Sequence, residues 1–141
     1  MSQESNAWII NRLVADTQIK TLLGVVTVTN EIILAEPEDR PALLSTHRGI
    51  IVLRPESETP NTHNSQGGDK EETIYIEIRS WTKQTVHDLK ARVLALLEDI
   101  DGALASGGCI YRVRHDWNRA PYKNPDGATW ECQIRYVVWY R

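Results

Sequence analysis

The sequence predicts an α+β fold: a single mixed or mostly antiparallel β-sheet with two helices packed on it, in the order helix, strands, long loop, strand, helix, strand, strand. Three observations carry this. "TIYIEIRSW" (73–81) alternates apolar and polar residues with the two-residue period of a strand. The stretch after it repeats its apolar residues at about 3.6, the period of a helix. "CIYRVRHDW" and "TWECQIRYVVWYR" then close the chain as two β-branched and aromatic runs with turn residues between them. The 141 residues, 41% hydrophobic and 25% charged, fit one soluble domain (1–141) that buries roughly two-thirds of its unfolded surface.

Taken in order, "NAWIINRLVADTQIKTLLG" (6–24) reads as a helix, with Asn6 as N-cap and Gly24 just past its end. Its apolar residues form two offset stripes, as in a helix touched from two sides. "VVTVTNEIILAE" (25–36) reads as one strand or two short ones. "EPEDRPALLSTH" is a connection broken by two prolines, and "RGIIVLR" (48–54) is a strand that Pro55 ends. Residues 55–72, "PESETPNTHNSQGGDKEE", contain no aliphatic or aromatic side chain and are expected to form a mobile loop between two strands. In 73–81, Ile74, Ile76 and Ile78 face one way and Tyr75, Glu77, Arg79 and Trp81 the other.

The second helix is expected over "TKQTVHDLKARVLALLEDIDGALASGG" (82–108). Val86, Leu89, Val93, Leu96, Leu97, Ile100 and Leu104 form its core stripe, with Leu94 outside it as a stray exposed leucine or a subunit contact. In the closing pair, Cys109, Tyr111, Val113, His115 and Trp117 share one face, as do Trp130, Cys132, Ile134, Tyr136, Val138 and Tyr140. The favoured register sets Tyr111 opposite Ile134, Val113 opposite Cys132 and Arg114 opposite Glu131, which pairs opposite charges. Neither that register nor a two-residue slip brings Cys109 to Cys132, so no disulfide is expected. "NPDG" (124–127) is a turn signal, and "NRAPYK" (118–123) is expected to protrude beyond the sheet.

Several function classes fall away. The longest apolar run is only a few residues, too short for a membrane-spanning helix, and "MSQESNAW" has neither the basic nor the apolar region of a secretory signal. The two cysteines make no framework, so a reduced, cytoplasmic setting is expected. Dinucleotide-binding, phosphate-loop, zinc-protease and nucleophile-elbow motifs are absent from the sequence. His47, His63, His87 and His115 lie far apart, and His115 with Cys132 supplies at most half a metal site. His115 and Asp116 are adjacent on a strand and point to opposite faces, so they make no acid–base pair. Asp99 with Asp101 and Glu71 with Glu72 read as solvated acids. No catalytic residue, cofactor or metal is expected, and the chain is not expected to be an enzyme.

Charge is uneven: residues 1–72 carry 6 basic and 11 acidic side chains, residues 73–108 carry 4 and 5, and residues 109–141 carry 6 and 3, which together give −3. An acidic half and a basic half can attract copies head to tail. Arg112, Arg114 and Arg135 are expected on one strand face, with Trp139 and the nearby Arg119, Tyr122 and Lys123; Asp116 and Glu131 share that face. Basic residues interleaved with aromatics suit single-stranded nucleic acid. A mixed-charge face bearing Arg, Trp and Tyr suits a protein contact better, and the acidic net charge favours the protein.

Three stretches resemble the tail-terminator (tail-completion) proteins of long-tailed bacteriophages. "RLVADTQIKTLLG" is similar to the family's opening helix. "TIYIEIRSWTKQTVHDLKARVLALLEDI" resembles its central strand and helix. "IYRVRHDW…PDGATWECQIRYVVWY" resembles its closing strand pair. The resemblance implies a structural virion protein that forms a ring, typically a hexamer, at the head-proximal end of the tail tube. Such a ring ends tail polymerisation and offers the head–tail joining surface. Implied partners are other copies of the chain, the tail tube protein and a neck or head-completion protein, with no membrane, and with nucleic acid only as DNA passing through the lumen. The place implied is the virion tail, assembled in the cytoplasm of the bacterial host. The residues expected at subunit or tube contacts are Arg112, Arg114, Arg119, Tyr122, Lys123, Arg135 and Trp139. The alternatives are another head–tail connector or neck protein and, from a different class, a single-strand nucleic-acid-binding module.

Overall fold

A computed structural model describes residues 2–28, 31–34, 48–60, 70–125 and 127–141. The chain is α+β; among the described residues, three helices are laid on one face of a six-stranded mixed sheet. The helices are α1 (Ser2–Val14), α2 (Thr17–Leu23) and α3 (Lys83–Leu97). The strands are β1 (Ile32–Leu34), β2 (Gly49–Pro60), β3 (Lys70–Ser80), β4 (Gly102–Ala103), β5 (Cys109–Lys123) and β6 (Trp130–Tyr140), in the spatial order β1-β2-β3-β6-β5-β4. Among the described strands, the β1–β2 pair is parallel and the others are antiparallel.

The expected single opening helix is two. The chain breaks at Ala15-Asp16, where the Asp16 side chain accepts the Ile19 N–H at 3.0 Å as the N-cap of α2. The two offset apolar stripes therefore belong to two helices. Asn6 is not a cap; it lies buried within α1. Gly24 does close α2, with φ of 78° in the left-handed region that glycine reaches without steric cost. Asp16 also ties α2 to α3 through Arg92, whose Nη2 lies 2.6 Å and Nε 3.0 Å from the two carboxylate oxygens. That hydrogen-bonded guanidinium holds the Asp16 carboxyl below the usual carboxylate range.

Among the described residues of the expected strand 25–36, Ile32–Leu34 form a strand, while Val25–Val28 do not and bend at Val26 and Thr27. The proline-broken connection lies outside the described residues. Pro55 does not end the next strand: β2 runs on to Pro60 and pairs antiparallel with β3 as far as Lys70. The ladder shifts register between Pro55 and Ser57, and such a bulge tolerates a residue that has no N–H to give. The expected loop 55–72 is thus a strand at both ends, and its residues 61–69 lie outside the described residues.

The alternation in β3 is as expected, with Ile74, Ile76 and Ile78 fully buried beneath the helices. The second helix is shorter than its apolar period implied. It ends at Leu97, and the chain turns through Asp99 (φ 53°) into β4. Val86, Leu89, Val93, Leu97 and Leu104 are buried, Leu96 and Ile100 partly so. Leu94 is neither stray nor free, since it packs against the same core.

The β5–β6 register differs from the expected one by six residues. Val113 faces Val138 and His115 faces Tyr136, rather than Val113 facing Cys132. Three register shifts, at Ile110/Arg112, His115/Trp117 and Arg119/Tyr122, each insert extra residues into β5 and reset which face its side chains take. Ile110 and Val113 are therefore buried, while Tyr111 and Trp117 are exposed. "NRAPYK" does not protrude: Asn118, Arg119, Tyr122 and Lys123 pair with β6, and Pro121 falls within the third irregularity. The turn is where the sequence set it. The Gly127 N–H donates to the Asn124 carbonyl at 2.9 Å, and Gly127 takes φ of 75°. Cys109 and Cys132 are both free thiols, and burial pushes Cys132 up to about 12.

Candidate protein interface on the open sheet face

Cross-strand partners share a face, so the ladder reads directly into rows on the side of the sheet away from the helices. One row runs Ile50, Arg79, Glu131, Tyr122; the next Val52, Glu77, Gln133, Arg119; the third Arg54, Tyr75, Arg135, Trp117. Beyond these lie Thr73, Val137 and Arg114, then Glu71, Trp139 and Arg112. Six of the seven expected contact residues (Arg112, Arg114, Arg119, Tyr122, Arg135 and Trp139) therefore stand on one surface. Lys123 does not. It pairs with Trp130 in the alternate phase, and its Nζ lies 5.9 Å from the Trp130 ring centroid.

The face is a lattice of alternating charges. Arg54 Nη2 is 3.5 Å from Glu77, and the Gln133 amide donates to the same carboxylate at 3.2 Å. Arg79 Nη2 is 3.3 Å from Glu131, which also accepts from the Asn124 amide at 2.5 Å. Glu77 and Glu131 are only 4% and 2% exposed although no helix covers them. These partners supply the hydrogen bonds that a buried carboxylate requires. Farther along β5, Arg135 donates to Asp116 at 2.9 Å, and that bond raises the guanidinium above its usual range. Arg112 lies 3.8 Å from Asp99, and Arg114 lies 3.9 Å from Glu98.

Aromatic rings fill the gaps. Arg54 lies 5.0 Å over Tyr75, Arg112 lies 5.5 Å over Trp139, and Arg119 lies 3.6 Å over Tyr122. Tyr75 and Trp117 meet edge to face at 6.4 Å, reaching over Arg135. Trp117 remains 41% exposed. A small apolar patch of Ile50, Val52 and Ile33 lies at the β1 side of the face.

Five arginines here are matched one to one with acids: Arg54, Arg79, Arg112, Arg114 and Arg135. A surface neutralised from within gives a phosphate backbone little net attraction. It retains the ring-rich character that suits a protein partner.

Sequence reasoning missed Glu98. It is the C-cap residue of α3, and its Oε2 lies 2.5 Å from His115 Nδ1. Asp99 beside it donates its N–H to the Val113 carbonyl at 2.8 Å. Together they seal part of the outer edge of β5. His115 thus has a carboxylate partner, though not Asp116. No pattern links residues 98 and 115; only the register reveals the pair. His87 is exposed on α3, while His47 and His63 lie outside the described residues. Among the described residues no group of three or more His, Cys, Asp or Glu side chains is placed to hold a metal ion. The clefts are of a different kind. One, at the α1–α2 junction, is lined by Trp8, Asn11, Arg12, Ala15, Asp16 and Leu96; there Asp16 is held by Arg92, and Arg12 donates to the Leu96 carbonyl. Another is lined by Lys83, Gln84, His87 and Pro121.

No known family profile matches the chain, and no curated protein matches it in sequence. Among solved structures, it is similar to a chain in the virion of a native gene transfer agent particle. The two superpose with a TM-score of 0.71 at 14% identity, over 94% of this chain and 90% of that one. The similarity spans nearly all of both chains and is one of fold.

Proposed function

We propose that this chain is a structural, non-enzymatic virion protein that assembles as a ring at the head-proximal end of a phage-type tail tube. There it ends tube polymerisation and offers the joining surface for the head. One observation carries the reading: the whole-chain likeness to a component of a gene transfer agent virion. The open face supports it, because a self-neutralised surface of arginines and rings is suited to packing against another protein. A closed ring joins two different patches of each subunit, and the open face is one such patch. Its partners in this reading are other copies of the chain, the tail tube protein and a neck protein.

The experiment is electron microscopy of tails assembled with and without the protein. Tails of uncontrolled length in its absence support termination. Normal tails that fail to take heads would move the role to a neck or connector protein. The nucleic-acid reading predicts salt-dependent binding of a single-stranded oligonucleotide; binding weaker than about 10⁻⁴ M at physiological salt eliminates it.

A further inference from the structure

Charge along α3 is set against its own helix. Aligned peptide dipoles favour acids at the N-terminal end of a helix and bases at its C-terminal end. The first turn of α3 opens on Lys83 and holds no acid. Its last turn holds no base and leads into the C-cap Glu98, then Asp99 and Asp101. Neither end stabilises the helix it belongs to. Together they make one end of α3 basic and the other acidic, about 22 Å apart over its 15 residues at 1.5 Å each.

At the basic end, Lys83 and Lys123 are both exposed, and their Nζ atoms lie 5.4 Å and 5.9 Å from the centroid of one indole, Trp130. The two ammoniums repel each other, and a carboxylate brought to them relieves that repulsion. Among the described residues neither lysine is in an ion pair. The one acid within α3, Asp88, accepts from the Gln84 amide at 2.8 Å. Lys83, with Gln84, His87 and Pro121, also lines an open cleft of about 490 Å³ that gives a partner chain room.

At the acidic end, Glu98 is already engaged by His115, with Arg114 3.9 Å away. Asp99 is held less closely: its side chain is 62% exposed, and Arg112 stands at 3.8 Å, beyond hydrogen-bond reach. Asp101 is exposed and, among the described residues, in no ion pair. Two exposed aspartates thus stand at one end of the helix and two exposed lysines at the other.

We propose that Asp99 and Asp101 of one copy of this chain dock against Lys83 and Lys123 of the next. This rests on the assembly reading above and names the chemistry of one contact in it. The contact joins two different ends of the subunit, so it is heterologous, as a ring requires. It also sets successive α3 dipoles head to tail, which is their favourable sense.

The test is sedimentation velocity on the full chain at about 50 mM salt, where screening is weak, and up to about 1 mM protein, where a contact of roughly millimolar Kd is visible. The parent is expected to associate, and less so as salt rises. Lys83→Glu with Lys123→Glu makes both ends acidic. Asp99→Asn with Asp101→Lys makes both ends basic, and asparagine keeps the left-handed backbone (φ 53°) that Asp99 adopts. Each variant alone is expected to associate at least about tenfold more weakly than the parent. Mixed one to one they associate again, because each supplies the end that the other lacks, and that recovery also shows both to be folded. The proposal is overturned if the parent stays monomeric throughout, if either variant alone associates as the parent does, or if the mixture associates no better than its parts. Electron microscopy of tails separates this contact from the assembly reading. Normal tail ends made with a single variant remove the contact and leave the ring standing. Association rescued in the mixture, with no effect on tail length, keeps the contact and removes the terminator.

Discussion

On one side of β3 and β6, Ile74, Ile76 and Ile78 meet Cys132, Ile134 and Tyr136 beneath three helices, all with no exposed surface. On the other side of the same two strands, Glu77, Arg79, Glu131, Gln133 and Arg135 interlock with no helix above them. The backbone ladder is common to both, so the difference lies wholly in side chains. The covered side gains its stability from non-directional burial, which tolerates few changes of volume. The open side depends on paired charges, which add little net stability but fix geometry, and breaking one leaves its partner stranded. If that contrast is right, equal truncations on the two sides will differ in size and also in how they can be rescued.

The largest effect belongs to the covered side. Ile76 is fully buried where α3 crosses the sheet, and Ile76→Ala leaves a cavity as well as losing burial. A loss of about 2–5 kcal/mol is expected in chemical denaturation, and no second substitution on the open face restores it. A loss below about 1 kcal/mol would mean that the covered face is not a packed core.

Next comes the ion pair on the open side. Arg79→Ala leaves Glu131, 2% exposed, with Asn124 in place of the cation. The expected cost is about 2–4 kcal/mol. Unlike the core cavity, this loss is recoverable. Replacing both residues, Arg79→Met with Glu131→Met, is expected to return within about 1 kcal/mol of the parent, because both desolvation penalties go with the charges. A double variant as unstable as the single one would show that the pair acts through something other than charge.

How much of this was legible in the sequence follows the same division. The covered side announces itself by period: Ile74, Ile76 and Ile78 by twos, and Val86, Leu89 and Val93 by threes and fours. The NPDG turn is local chemistry and was readable for that reason. The open side was readable in composition, since six of its seven expected residues share the surface, but not in register. Register is set by three bulges in β5, and a bulge has no residue code of its own. The prolines misled in a consistent way. Pro55 read as a strand end and Pro121 lay in the stretch expected to protrude, and both sit at ladder irregularities inside a strand. Asp16 was the opposite case. An aspartate three residues before Ile19 is an N-cap signal, but the two apolar stripes on either side of it read as one helix touched from two sides.

Asp16 stands apart from both faces, joining α2 to α3, and its effect is intermediate. Asp16→Ala removes the cap and strands Arg92, at an expected cost of about 1–2 kcal/mol. The sign of its pH dependence follows from its lowered value in the folded chain. The unfolded carboxyl takes up its proton first as pH falls, so this contribution is complete above the ordinary carboxylate range. It is lost as pH drops through the lower, folded value. Denaturation midpoints of parent and variant should therefore differ at neutral pH and converge in strong acid. A difference that persists unchanged to the lowest pH would assign the effect to the helix cap alone.

The smallest stability effect, and the sharpest use of the comparison, is Arg119→Ala. Arg119 is exposed and stacks on Tyr122, so its removal is expected to shift stability by no more than about 0.5 kcal/mol. Arg135→Ala, by contrast, releases the Asp116 side chain and disturbs the row that holds Trp117 and Tyr75. If the open face packs against a neighbouring protein, Arg119→Ala lowers ring or tail assembly while the isolated chain melts as the parent does. An exposed arginine over a ring is an interface anchor only when a partner covers it. Equal assembly by parent and variant, measured on the same preparations whose thermal unfolding is unchanged, would confine the contact to other parts of the sheet.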